Sequence, residues 1–176
     1  MTPPEDQDAA EATRARRGGP LAVLCLSAFG LGLSPIMPGT VASLATAALL
    51  LWAPPGLAGF LVLLGILLIT GSAVTLRFGD WLQDENARKH GDPGWVVSDE
   101  VAGQAVASLG TLPTHGDWRL ALIAFVLFRF FDMVKFGPVK RAEQMPGAVG
   151  VLLDDIIAGA FAGILTLAVG LSGILA

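Results

Sequence analysis

The chain of 176 residues is long enough for one domain or for a small bundle of membrane helices. Hydrophobic residues make up 53% of it, charged residues make up 15%, and the mean hydropathy is +0.67, so the chain is too apolar for an ordinary soluble domain. A net charge of −4 offers no basic face and argues against nucleic-acid binding. The single cysteine, Cys25, excludes a disulfide framework within the chain.

Residues 1–19 are polar and rich in proline, alanine and charge, which predicts a disordered tail ahead of a helical domain over residues 20–176. The basic cluster of Arg14, Arg16 and Arg17 precedes an apolar run, as in a signal peptide. However, the chain stays apolar far beyond any plausible cleavage point. A retained membrane protein with its basic tail in the cytoplasm fits this pattern better.

Three long apolar segments follow the tail. The first, Leu21 to Trp52, is interrupted by the motif GLGLSPIMPGT at residues 30–40. The second, Gly56 to Leu76, and the third, Ile156 to Ala176, each hold about 20 uncharged residues, enough to span a hydrocarbon core of about 30 Å. No stretch of useful length alternates between apolar and polar residues as a β-strand would. Loops rich in turn-forming residues separate the apolar segments. We therefore predict an all-α fold, a compact helical membrane-associated bundle with broken helices and polar connecting loops.

The motif at residues 30–40 breaks an apolar segment, and such a break is tolerated at membrane depth only where it is buried in protein or lines a polar cavity. Pro38 and Gly39 predict the end of one helix and the start of another, with Thr40 as the N-cap. The N–H groups at a helix start form a ready site for phosphate. A plain turn between two helices of a hairpin explains the same residues equally well.

Five carboxylates adjoin or interrupt apolar sequence, where an ionised side chain is costly. Asp99 and Glu100 open a helical segment, and Asp154 and Asp155 precede the last apolar run, so the helix dipole alone explains these four at about 0.3–1 kcal/mol each. Asp132 lies inside another predicted helix. Taken singly the acids favour these structural explanations, whereas together they favour a shared site. Oxygen ligands of this kind suit Mg²⁺.

Basic side chains accompany the acids. Arg129 precedes Asp132 by three residues, which also fits a simple ion pair on one helix, and Lys135 lies about one turn beyond Asp132. Cations beside a carboxylate-held metal form the kind of clamp that phosphoryl transfer needs. Lys140 and Arg141 are equally well explained as a basic collar that orients the chain at the cytoplasmic face.

Several phosphatase chemistries do not fit the sequence. Leu31 stands where a cysteine phosphatase built on Cys25 would need arginine, and no D-x-D-x-T or G-x-S-x-G motif is present. His90 and His115 lie on polar loops without the arginine that histidine-based lipid phosphatases use. Attack by water with the help of a metal remains, or, less favoured, attack by an aspartate.

Four segments together carry a resemblance to a known family: GLGLSPIMPGTVASL at 30–44, GDPGWVVSDEVAGQ at 91–104, FRFFDMVKFGPVK at 128–140 and MPGAVGVLLDDIIAG at 145–159. In this order they resemble the phosphatidylglycerophosphatase A family of magnesium-dependent bacterial enzymes. The chain departs from the family pattern at Met37, at Phe136-Gly137 and at Gly147-Ala148, and no acidic or basic position is lost. The resemblance implies removal of the terminal phosphate of phosphatidylglycerol phosphate, which gives phosphatidylglycerol and inorganic phosphate.

The resemblance also implies site residues. Catalytic and Mg²⁺-binding roles fall on Asp99, Glu100, Asp132, Asp154 and Asp155. Binding of the substrate phosphate falls on Ser34, Gly39, Thr40, Arg129 and Lys135. We expect a phosphoric monoester hydrolase in the bacterial inner (cytoplasmic) membrane, with its active site facing the cytoplasm. The rival interpretation is a small membrane transporter or channel subunit that uses the intramembrane carboxylates. The sequence gives no indication of the oligomeric state.

Overall fold

The computed structural model describes residues 20–52, 56–78, 94–114 and 117–174, and the tail predicted to be disordered lies outside them. The helices are α1 (residues 20–26), α2 (Pro38–Trp52), α3 (Gly56–Phe78), α4 (Ser98–Ser108), α5 (Trp118–Val134), α6 (Pro138–Glu143) and α7 (Gly147–Leu171). Short 3₁₀ turns cover Leu31–Leu33 and Leu109–Thr114. These described ranges contain no strand, so the predicted all-α class is confirmed.

The first apolar segment is broken where the sequence predicts, but α2 begins three residues earlier than the expected first helical residue, Val41. Pro38 is its first residue, because proline has a backbone angle suited to the first helical position and no N–H to leave unpaired there. The preceding Met37 turns the chain into the helix with φ of 46°. Thr40 therefore lies inside the first turn, and the prediction that it is the N-cap is wrong.

The last apolar helix also begins earlier than predicted, at Gly147 rather than at Ile156. The sequence pattern misplaces the boundary because charged residues usually end an apolar run. Asp154 and Asp155 are instead about two turns inside α7, with side chains buried in the bundle. A favourable position at a helix start consequently does not account for these two acids.

Helix α4 lies at the centre of the bundle and packs against α2, α3, α5 and α7. Glycines allow the closest of these approaches. A Cβ atom at Gly103 would meet the ring of Phe128 and the carbonyl oxygen of Asp155, and a Cβ atom at Gly159 would meet the carbonyl of Gly103. Backbone contact through small residues is typical of helices that pack within membranes. It places Asp155 directly beside the first half of α4.

Two helices in the described residues are long and apolar enough to cross a membrane by length and composition, over 56–77 and 147–171. The end of α3 meets the start of α4, because Gly71 lies against the carbonyl oxygen of Ser98 and the Thr75 hydroxyl is 2.7 Å from the Ser98 hydroxyl. The first third of α7 meets the same part of α4. We call this end of the bundle the acidic end.

Candidate active site

Three helices deliver charged side chains to the acidic end. Helix α4 contributes its first turn, α5 its last two turns and the residue that caps it, and α7 the two aspartates inside its first half. These side chains are Asp99, Glu100, Arg129, Asp132, Lys135, Asp154 and Asp155. Residues that are distant in sequence thus meet because α4, α5 and α7 all pack against one another.

Asp99, Glu100 and Asp155 form the tightest acidic cluster in the described part of the chain. One carboxylate oxygen from each residue lies within 4.8 Å of the other two. Asp99 is 7% exposed and Asp155 is 3% exposed, while Glu100 is partly buried. Three oxygen donors at this spacing can bind one small divalent cation. We call these three residues the carboxylate cluster.

The electrostatics of the carboxylate cluster favour a bound cation. Burial raises the pKa of the Glu100 carboxyl to about 7; the neighbouring Asp99 opposes this rise, Asp132 adds to it and Arg129 opposes it. Asp132 also lies close enough to Asp155 for their charges to interact. Negative charge at the cluster therefore exceeds what Arg129 balances, and such repulsion is relieved when a metal ion binds.

A buried oxygen provides a further sign that the cluster suits a metal. Glu100 Oε2 is buried and has no hydrogen-bond partner. A buried carboxylate oxygen without a partner is destabilising unless something else compensates it. The donor set consists of carboxylates alone, which fits a hard cation and does not fit a soft one. The cluster can hold a metal ion.

The start of α2 lies directly against this cluster. A Cβ atom at Gly39 would collide with Glu100 Oε1 and would lie 3.3 Å from Arg129 Nη1, so only glycine fits without a shift. The first turn of α2 also contains Thr40, whose Oγ1 is buried and has no hydrogen-bond partner. The motif at residues 30–40 thus meets the acids through Gly39.

The first half of the same motif is arranged differently. Ser34 Oγ donates a hydrogen bond to the Ile36 carbonyl at 3.1 Å and accepts one from the Ile36 N–H at 3.4 Å. Gly32 packs against the carbonyl of Trp95, which anchors this turn to the chain just before α4. The described contacts of Ser34 are therefore local, and they do not join it to the carboxylate cluster.

Arg129 and Asp132 form the ion pair that their spacing allows. Arg129 Nη1 lies 2.7 Å from Asp132 Oδ2, and the two side chains are 15% and 13% exposed. Arg129 Nε is buried without a hydrogen-bond partner, so the guanidinium keeps an unused donor. The ion pair with Asp132 therefore does not use every donor of the Arg129 guanidinium.

Asp154 is engaged outside the carboxylate cluster. Its Oδ2 accepts a hydrogen bond from Lys135 Nζ at 2.8 Å, and its Oδ1 accepts one from the backbone N–H of Asp155 at 3.1 Å. The two consecutive aspartates thus have separate partners, since Asp155 joins Asp99 and Glu100. A helical pattern could not separate their roles, because both positions are buried.

Lys135 ends α5 in the left-handed conformation, with φ of 42°. Besides Asp154 it contacts Glu143 on α6, with Nζ 3.0 Å from Oε1. Burial lowers the pKa of the ammonium, but the hydrogen bonds and charges of Asp154 and Glu143 outweigh burial and hold that pKa above its ordinary value. Sequence reasoning missed Glu143 because the bend at Gly137 and Pro138 breaks the helical spacing between it and Lys135.

A family model, Phosphatidylglycerophosphatase A, matches residues 24–170. The chain belongs to this family. It is 36% identical to a phosphatidylglycerophosphatase A of Escherichia coli over 169 residues, which is 92% of this chain and 90% of the relative. It is 33% identical to the protein of the same name from Haemophilus influenzae, over 80% of this chain and 83% of the relative.

A third relative, from Bacteroides thetaiotaomicron, has a provisional name, phosphatidylinositol-3-phosphatase, and is 37% identical over 82% of this chain and 91% of its own length. No solved structure gives a significant match. Family membership makes the chain a phosphoric monoester hydrolase and confirms that prediction. The family is one of lipid phosphatases.

Proposed function

We propose that this lipid phosphatase hydrolyses phosphatidylglycerol phosphate to phosphatidylglycerol and inorganic phosphate. One observation supports the site more than any other: the carboxylate cluster lies against the start of α2 at Gly39. A cation site and the N–H groups of a helix start then adjoin each other, and both attract a phosphate group. The names of the relatives from Escherichia coli and Haemophilus influenzae support the choice of lipid.

We propose Mg²⁺ as the metal, held by Asp99, Glu100 and Asp155, with Asp132 beside them. When bound, the ion would supply positive charge to the substrate phosphate and would lower the pKa of a water molecule. The donor set supports this choice, because Mg²⁺ prefers a few carboxylates and retains several waters. Asp154 fits the role of a ligand less well, because Lys135 occupies its Oδ2.

The remaining residues of the site would hold and orient the phosphate. The unused Nε of Arg129 offers a donor next to Glu100, and the Thr40 hydroxyl offers another at the first turn of α2. Lys135 offers a third donor, and a second positive charge, at the end of α5. Donors fixed before the substrate arrives stabilise the charge of the transition state without the cost of reorganisation. Ser34 fits such a role less well because its hydroxyl bonds within its own turn.

A substrate panel tests this proposal. The full chain, purified in detergent, is supplied in mixed micelles with phosphatidylglycerol phosphate or with phosphatidylinositol 3-phosphate, and phosphate release is measured. We expect release from phosphatidylglycerol phosphate with the higher kcat/KM. Faster release from the inositol lipid would show that the proposed substrate is wrong. It would favour the activity in the name of the Bacteroides relative. Release from neither lipid would contradict the proposed function.

We propose an inner-membrane location with the acidic end facing the cytoplasm. Arg77 at the end of α3 and Lys140 and Arg141 on α6 are exposed at this end, whereas Arg119 near the opposite end is paired with Asp117 at 2.9 Å. An excess of basic residues favours the cytoplasmic side of a membrane.

Labelling of an introduced cysteine tests this orientation. Lys140→Cys in a Cys25→Ser background is expected to react with a membrane-impermeant maleimide in inside-out vesicles and to be protected in intact spheroplasts. Arg119→Cys in the same background serves as the matched control at the opposite end, with the reverse pattern expected. Labelling of the Lys140→Cys protein in intact spheroplasts would show that the orientation is wrong.

A further inference from the structure

Lys135 is held between two carboxylates that differ in burial. Asp154 Oδ2 lies 2.8 Å from Nζ and its side chain is 5% exposed, whereas Glu143 Oε1 lies 3.0 Å from Nζ and its side chain is 46% exposed. An exposed ion pair contributes little to stability and is easily exchanged, while breaking a buried pair is costly. Glu143 is therefore the replaceable partner of Lys135.

The buried partner fixes Lys135 relative to the carboxylate cluster. Asp154 bonds both Lys135 Nζ and the backbone N–H of Asp155, so the ammonium is tied to the helix that supplies one member of the cluster. The Lys135 side chain is 27% exposed, so part of this side chain can be reached from outside the bundle. An anion that reaches the Lys135 ammonium also meets the Glu143 carboxylate, which is negatively charged like the anion itself.

A phosphate monoester and Glu143 offer Lys135 the same chemistry, namely anionic oxygens that accept hydrogen bonds from an ammonium. We propose that Glu143 is an internal competitor for the substrate phosphate, which occupies Lys135 in the empty site and is displaced when the phosphate binds. The inference rests on the proposed function, in which Lys135 binds that phosphate. It also predicts that Glu143 weakens the binding of inorganic phosphate, the product, because the product bears the same anionic oxygens.

The glutamine variant tests this inference, since Glu143→Gln keeps the size of the side chain and removes its charge. We expect KM for the phospholipid and the inhibition constant for inorganic phosphate to fall together, roughly three- to tenfold, because a competing negative charge is lost. We expect kcat not to rise. The difference from the wild-type protein should shrink at high salt, since the groups involved are partly exposed.

Asp117→Asn is the matched control. Asp117 is also an acid in an ion pair, and it lies at the far end of α5 from Lys135, so the variant makes the same change in net charge away from the site. Asparagine can still cap the helix. We expect KM and phosphate inhibition to be unchanged in this variant. An equal fall in both variants would assign the effect to net charge and overturn the inference.

A double variant separates competition at Lys135 from a structural effect of Glu143. In a Lys135→Met background, Glu143→Gln should give a much smaller change in phosphate affinity, because the group for which the two anions compete is gone. Unchanged or weaker phosphate binding in the single Glu143→Gln variant would overturn the inference. So would an equal gain in the single and double variants.

Calorimetric titration of the purified chain with inorganic phosphate provides a readout that does not depend on turnover. Tighter phosphate binding by Glu143→Gln would support the competition even if the wild-type protein released no phosphate from the proposed lipid. In that case the proposed substrate would fail and the inference would stand. Normal turnover of the lipid with no change in phosphate affinity would overturn the inference and leave the proposed function standing.

Discussion

Replacing Asp155 by asparagine is expected to lower kcat for phosphate release by on the order of 10³-fold, because the carboxylate cluster loses one of its three charged donors. The Asp155 side chain is 3% exposed and its carboxylate interacts with four other acids. A neutral amide relieves that repulsion, so we expect the thermal unfolding temperature of the variant not to fall. The rate is measured at saturating magnesium. The unfolding temperatures of both proteins are measured in a chelator, so that bound metal does not stabilise the wild-type protein alone.

The Asp117→Asn variant again provides the control, since it removes an acid from the far end of α5. Its activity is expected to match that of the wild-type protein. If the activity of Asp155→Asn stayed within a few-fold of wild type, the carboxylate cluster would not be part of the catalytic site. A large fall in its unfolding temperature would show instead that the loss of activity reflects damage to the fold.

Replacing Gly39 by alanine is expected to lower kcat/KM by about 100-fold, since a displacement of about 1 Å at a reacting centre costs a factor of this size. The added methyl group would collide with Glu100 Oε1 and crowd the guanidinium of Arg129, so either α2 or these side chains must move. The site would lose its geometry while the rest of the bundle keeps its packing. Kinetics with the phospholipid in mixed micelles measure the loss.

Gly65→Ala is the matched control for this substitution. Gly65 is also in a helix, α3, and a Cβ atom there would meet nothing within 4 Å. Alanine is favoured over glycine in a helix interior by about 1 kcal/mol, so this control should be fully active and at least as stable as the wild-type protein. Full activity in Gly39→Ala would show that α2 need not approach Glu100 so closely for catalysis.

The sequence predicts the helices of this fold well because their apolar length and their glycine and proline breaks are local signals. It misplaces the start of α2 because threonine is a common cap residue and competes with the proline at position 38 as the sign of a helix start. It misplaces the start of α7 because burial of Asp154 and Asp155 depends on helices that are distant in the chain. The local sequence pattern cannot show that a charged residue inside an apolar helix contacts polar groups on other helices.

The site residues illustrate the same limit. The acids stand out through their cost in apolar sequence, which is a local property, and Asp99, Glu100 and Asp155 do meet in the structure. The separate engagement of Asp154 with Lys135 could not be predicted, since adjacent aspartates look equivalent in a sequence. Glu143 was missed for a related reason: its contact crosses a bend between two helices. The assignment of the site residues to metal binding, substrate binding or catalysis stays a prediction until variants are measured.

Activation of the purified chain by magnesium tests the central claim most directly. The chain is stripped with a chelator, Mg²⁺ is titrated back, and phosphate release from phosphatidylglycerol phosphate is followed in mixed micelles. We expect negligible release in the chelator and saturable activation by Mg²⁺, with activation lost in Asp155→Asn. Release at the full rate in the presence of the chelator, or the same magnesium activation in Asp155→Asn, would contradict a metal-assisted phosphatase site at the carboxylate cluster.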